Sequence, residues 1–170
     1  SLPFFHSLFP DAQLTGADIS SRSLEVCRTR FPGVPARYLE LASDHIPMPD
    51  ASVDVAFTAC VFHHIAADEH ARWLRELRRV VRPGGRLMLF EHNPLNPLTA
   101  AAVRDCPFDI HAKLIGAGQM RDRIAAAGWR APRIRYRIFF PHALRGLRPL
   151  EQYMAWLPLG AQYSVSAHAG

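Results

Sequence analysis

Short β-prone runs separated by longer helical ones recur along this chain, and that alternation narrows its fold more than any other feature. Strands are predicted at 13–18, 36–41, 53–58, 86–91, 134–140 and 162–167. Helices are predicted at 2–9, 21–30, 68–81, 117–127 and 149–157. Such an order calls for a mainly parallel sheet with helices on both faces. Local chemistry supports the boundaries. Ser20 is a good cap for helix 21–30. Asp68 is expected to cap helix 68–81, which turns Trp73, Leu74, Leu77, Val80 and Val81 inward at helical spacing. Arg82-Pro83-Gly84-Gly85 then stops that helix, because proline cannot continue it and the glycines permit positive φ.

Composition excludes the disordered and fibrous classes: 49% of the 170 residues are hydrophobic and 21% charged. No uninterrupted apolar run approaches the roughly 18 residues of a membrane span. Cys27, Cys60 and Cys106 are odd in number and widely spaced, which argues for a reducing compartment rather than a disulfide framework. With no leader pattern recognised, a cytoplasmic location is expected. The formal charge of +5 is unevenly spread, since Arg121 to Arg148 holds eight arginines and a single acid, Asp122. A basic C-terminal face follows; it is either a solvated edge or a surface for an anionic partner.

Four pieces in one order carry a resemblance: Thr15-Gly16-Ala17-Asp18-Ile19-Ser20, Ile46-Pro47-Met48-Pro49-Asp50-Ala51-Ser52-Val53-Asp54-Val55, His63-His64-Ile65, and Leu77 through Arg82-Pro83-Gly84-Gly85 to Leu87. Together they resemble a class I S-adenosylmethionine-dependent methyltransferase over residues 2–128. The resemblance implies a doubly wound, Rossmann-like α/β fold, mostly parallel, with one antiparallel strand near the C-terminus. It implies S-adenosylmethionine as cofactor and S-adenosylhomocysteine as product. The expected organisation is a single domain over 1–170, in which 129–170 supplies C-terminal strands and an acceptor lid.

An acid at the carboxyl end of a strand can accept both hydroxyls of a ribose, so the resemblance assigns that role to Asp18, which otherwise caps the next helix. Ile19 would offer adenine an apolar face. Where the family commonly has an acid holding the adenine edge this chain has Ala42, which leaves Ser43 and Asp44 as candidates. Ala59, Cys60 and Val61 would pass the methionine part. For the acceptor, His92 and Glu91 are the favoured contacts, and His63 and His64 are candidates for taking a proton. His63, His64, Asp68, Glu69 and His70 lack a defined third ligand, and no metal is expected.

The family's strand and Gly-rich turn for the cofactor have no counterpart here, and in the resembled fold that strand is central to the sheet. Two readings stay open: a portion of a longer chain, or a truncated, non-catalytic domain acting through partner binding or self-association as a homodimer. A nicotinamide-dependent oxidoreductase would share the strand-end acid but leave the Pro-Met-Pro-Asp and Arg-Pro-Gly-Gly segments without a role. The expected partner is a small-molecule acceptor, anionic or lipid-linked, with peripheral membrane contact through the apolar and basic C-terminal third and no nucleic acid.

Overall fold

The computed structural model describes residues 1–41 and 45–170. The chain divides into two compact units, Ser1–Met48 and Pro49–Gly170, a division that falls inside what the sequence reads as one domain.

The first unit runs α1 (Leu2–Leu8), β1 (Leu14–Asp18), α2 (Ser21–Arg30) and β2 (Ala36–Glu40). β1 and β2 are parallel, in register from Leu14 opposite Ala36 to Asp18 opposite Glu40. The Ser20 hydroxyl accepts the Ser23 N–H at 3.2 Å, so the expected cap sets the start of α2. Leu24 is the buried residue of that helix.

The second unit contains β3 (Val53–Ala59), α3 (His70–Val80), β4 (Val81–His92), α4 (Pro97–Arg104), α5 (Ala117–Ala126), β5 (Trp129–Arg137), α6 (Glu151–Met154) and β6 (Gln162–Ala169). The strand order is β3-β4-β6-β5. β3 and β4 are parallel, whereas β6 runs antiparallel to both β4 and β5. This is the antiparallel C-terminal strand the sequence leads one to expect. Leu74, Val81, Leu87, Leu89, Met120, Ile124, Tyr163 and Val165 form the buried centre. Along β4 the buried positions Leu87, Leu89 and Glu91 alternate with exposed or half-buried ones. The period of two therefore turns Glu91 toward the core and His92 to the opposite face.

Several boundaries differ from the sequence expectation. α3 starts at His70, and no side chain caps it. Instead, residues 67–69 form a turn closed by the Glu69 N–H on the Ala66 carbonyl at 2.9 Å. The Pro-Gly-Gly segment does end α3, yet it is absorbed into β4 as a bulge: Val53 faces Val81 while Val55 faces Arg86. Gly84 takes φ +78° there. At Gly85 a Cβ would meet the Asp54 carbonyl at 2.7 Å, so only glycine lets β3 and β4 approach. α4 is unforeseen; the Asn96 side chain caps it by accepting the Thr99 N–H at 3.0 Å. β5 begins at Trp129 and ends at Arg137, and α6 is shorter than the helix expected at 149–157, being preceded by 3₁₀ turns over His142–Leu150. Among the described residues no helix is long and apolar enough to cross a membrane.

Candidate functional site

In the first unit, Asp18 ends β1 and is half-buried. Its Oδ1 accepts the Ser20 N–H at 2.8 Å, a local turn that fixes the carboxylate, while capping of α2 falls to Ser20. Among the described residues, Oδ2 has no hydrogen bond to protein. Ile19, beside it, is 72% exposed, a large apolar side chain presented to solvent at a strand end. Ser43 and Asp44 lie outside the described residues.

In the second unit, β3 ends in a sharp turn. Cys60 adopts φ +55°, an unusual conformation for a residue with a side chain. Its N–H donates to the Phe90 carbonyl at 2.9 Å, which ties the turn to β4. The next two amides then point at one carboxylate: Glu91 Oε1 accepts the N–H of Val61 at 3.0 Å and of Phe62 at 2.7 Å. Glu91 Oε2 lies 2.6 Å from His63 Nδ1, and both side chains are 1% exposed. Phe62 stacks edge-on against His70, with centroids 5.3 Å apart, and seals the turn from beneath. Ala59 and Val61 stay exposed at its tip.

A residue distant in sequence completes the cluster. Asp109 ends a 3₁₀ turn over Pro107–Asp109 and places Oδ1 3.5 Å from His63 Nε2 and 3.3 Å from His64 Nε2. The Lys113 N–H donates to the His63 carbonyl at 2.9 Å and holds this segment against the histidine turn. The His63 ring lies 4.1 Å from that of His64 and 5.2 Å from that of His92, centroid to centroid.

The electrostatics follow from this packing. Burial works against a charged His63, but the Glu91 hydrogen bond and the charges of Glu91 and Asp109 outweigh it and raise the His63 pKa. Burial lowers the His92 pKa, and neighbouring His63 lowers it further, so His92 favours the neutral imidazole. The Asp109 carboxyl is held below its usual range, first by a hydrogen bond from Cys106, with His63 and His64 adding to the effect. Burial pushes the Cys60 thiol up to about 11, aided by Glu91 and Asp109. Cys60 Sγ also accepts a hydrogen bond from Gln162 at 3.7 Å.

The candidates named from sequence thus separate into two kinds. Glu91 is enclosed and fully engaged, so it positions the Cys60–His63 turn. His92 and His64 keep surface to offer a ligand. Of the other polar groups in the sequence cluster, His70 is committed to the Ile65 carbonyl at 3.0 Å and to Arg123, and Glu69 to Arg72 at 2.6 Å. Asn93 anchors the following loop, donating to the carbonyls of Pro158 and Gly160 at 3.1 and 2.8 Å. The residue sequence reasoning missed is Asp109; nothing in Cys106-Pro107-Phe108-Asp109 signals which turn it will meet.

Comparison with known proteins bears on this arrangement. The profile of the methyltransferase domain family matches residues 2–89, from α1 through β3, α3 and most of β4. The chain belongs to this family. A probable S-adenosylmethionine-dependent methyltransferase of Mycolicibacterium smegmatis is 31% identical over 118 residues, which is 69% of this chain and 43% of the relative. A demethylmenaquinone methyltransferase of Thermus thermophilus is 37% identical over 87 residues, 50% of this chain and 39% of the relative. The crystal structure of a SAM-dependent methyltransferase from Archaeoglobus fulgidus superposes with TM-score 0.73 at 13% identity, covering 96% of this chain and 80% of that one. The fold is the Rossmann-like one of this methyltransferase family. The chain spans well under half the length of these curated relatives. S-adenosylmethionine is the cofactor that family and fold imply, with S-adenosylhomocysteine as product. Within the first unit, the oriented carboxylate of Asp18, whose Oδ2 has no hydrogen bond among the described residues, is of a kind that suits a ribose diol.

Proposed function

We propose that this chain serves an enzyme that transfers a methyl group from S-adenosylmethionine to a small-molecule or lipid-linked acceptor. The observation that carries the reading is the family match through the two strands whose carboxyl ends hold Asp18 and the Cys60–His63 turn. The cofactor brings a methyl group already activated on a sulfonium, so no protein nucleophile is called for. The chain's own work is to bind, align and exclude water. In this reading Asp18 and Ile19 hold the nucleoside, with Ser43 or Asp44 candidates for the adenine edge. Ala59, Cys60 and Val61 serve the methionine part. His92, half-buried and favouring its neutral form, is the candidate for accepting a proton from an acceptor hydroxyl or acidic carbon. His64 is the second candidate. Glu91 and His63 act through the turn they fix.

The acceptor class draws on two supports. One relative is named a demethylmenaquinone methyltransferase. The C-terminal part of this chain also exposes Leu150, Tyr153, Trp156 and Leu159 beside the exposed arginines 133, 135 and 137 of β5. An anionic, partly apolar acceptor or a membrane surface would suit such a face.

Titration of the full-length protein with S-adenosylhomocysteine tests the cofactor reading. Asp18→Ala is expected to weaken binding by about 1–3 kcal/mol through the loss of charge-assisted hydrogen bonds. Unchanged affinity removes Asp18 from the site, and no binding by the parent protein overturns the reading. Co-sedimentation with anionic vesicles at low salt tests the surface face, where electrostatic attraction is least screened. No binding there leaves a small polar acceptor as the better assignment.

One observation favours the non-catalytic reading. β3 and β1 each end their described sheets, and Val55 of β3 is half-exposed. Open edges favour strand pairing between copies. Light scattering of the 170-residue piece as a monodisperse monomer counts against it.

A further inference from the structure

We infer that His63, His64 and Asp109 form a binding site for a divalent transition-metal cation such as Zn²⁺, with Glu91 as its outer carboxylate and one coordination position left open. The inference goes beyond methyl transfer and stands without it.

Its basis is geometric. The three ligand atoms, one from each residue, lie within 4.8 Å of one another. With metal–ligand bonds of about 2.0–2.1 Å, the edges of a tetrahedron measure about 3.3–3.4 Å. The two edges that meet at Asp109 Oδ1 measure 3.5 Å to His63 Nε2 and 3.3 Å to His64 Nε2. Two of the three donor pairs therefore stand close to the spacing a bound cation imposes. The two imidazole donors lie within 4.8 Å of each other, and the His64 side chain is 44% exposed.

The second support is the partner of His63. A ligating histidine almost always gives its other ring N–H to a carboxylate, a backbone carbonyl or water, which fixes the tautomer and aims the free nitrogen at the metal. Here Nδ1 faces Glu91 Oε2 at 2.6 Å with both side chains sealed from solvent, and Nε2 is the nitrogen that faces Asp109. Glu91 is itself held by the amides of Val61 and Phe62, so this outer shell is rigid.

Charge and donor type agree. Two carboxylates flank His63, an excess of negative charge that a divalent cation would balance. Imidazole nitrogen with a carboxylate oxygen suits zinc and its neighbours better than magnesium or calcium, which prefer oxygen alone. Three protein ligands leave a fourth place for water or an oxygen of a bound molecule, the pattern of open rather than structural zinc sites. The sequence hides the site because Asp109 reaches it through the fold, not through spacing.

The experiment uses the full-length protein, stripped with a chelator and titrated with Zn²⁺ against a chromophoric competitor, then with Co²⁺ alone. One equivalent of Zn²⁺ per chain and the intense visible bands of four-coordinate Co²⁺ are expected. His64→Asn and Asp109→Asn should each weaken binding by about tenfold or more. His142→Asn, at an exposed residue of the C-terminal segment, should leave it unchanged. Near-UV circular dichroism checks that the variants keep their packing, and the partly exposed His64 makes at least that one a mild change. Absence of stoichiometric metal binding in the parent protein, or binding that survives both substitutions undiminished, overturns the inference.

Discussion

Glu91 Oε2 lies 2.6 Å from His63 Nδ1, and the other oxygen of the same carboxylate holds two consecutive backbone amides of the turn that carries His63. One side chain on β4 thus sets both the backbone and the imidazole at the end of β3. Its removal would leave the buried Phe62 amide, the part-buried Val61 amide and a buried ring nitrogen without this partner. Glu91→Ala should therefore cost about 3–5 kcal/mol, the range for breaking a buried ion pair by deleting one member. Chemical denaturation of the parent and variant measures it. A loss under about 1 kcal/mol would mean that the turn holds itself.

Glycine positions separate into two groups. At Gly85 a Cβ would stand 2.7 Å from the Asp54 carbonyl, and at Gly160 it would stand 2.5 Å from the Arg137 carbonyl. Backbone atoms cannot step aside, so alanine at either place should destabilise by about 1–3 kcal/mol. Gly118, inside α5, has open space around it, and alanine there should stabilise by up to about 1 kcal/mol through helix propensity. Thermal melts of the three variants give the signs directly.

The thiol of Cys60, pushed up to about 11, should be a poor nucleophile near neutrality. At pH 8 only about 0.1% of it would be thiolate. Iodoacetamide labelling followed by mass spectrometry should show its rate rising with pH toward that value. Rapid alkylation of Cys60 at pH 8 would contradict the burial that raises it.

Tyr163 is wholly buried in β6 and donates to the Ile115 carbonyl at 2.9 Å. Burial, followed by the charge of Glu91, raises its pKa above the ordinary tyrosine value of about 10. Above pH 10 the unfolded chain releases this proton and the folded chain keeps it. Stability is therefore fully present below that pH and falls as pH rises beyond it. Among the four tyrosines, one phenol should fail to ionise until the chain unfolds, followed by ultraviolet absorbance. Tyr163→Phe should abolish that lagging step.

The sequence made much of the scaffold legible because local chemistry sets it. Ser20 caps α2 as its type and place suggest, and the stop after Val80 follows from Pro83 and its glycines. The site was less legible, since strand alternation and long-range packing decide it. Glu91 and His92 are neighbours in sequence and were expected to share a role, yet the pleat of β4 sends one into the core and leaves the other half-buried. Asp109 gave no local signal, and its meaning depends on a turn contributed by residues far earlier. α4 is set by the cap of Asn96 on Thr99 with Pro97 at its start, polar chemistry that the apolar pattern does not signal.

The place of β6 between β4 and β5 has a consequence for how the second unit is made. During synthesis β4 and β5 leave the ribosome with no partner for their facing edges, and they wait until residues 162–169 emerge. Until then Leu87, Leu89 and Trp129 have an incomplete core around them. The nascent chain therefore passes through an interval with two sticky edges open, and closure depends on contacts of long sequence separation, which form slowly. Ribosome stalling just before β6 should capture a species that chaperones hold, and release should follow the arrival of one eight-residue strand.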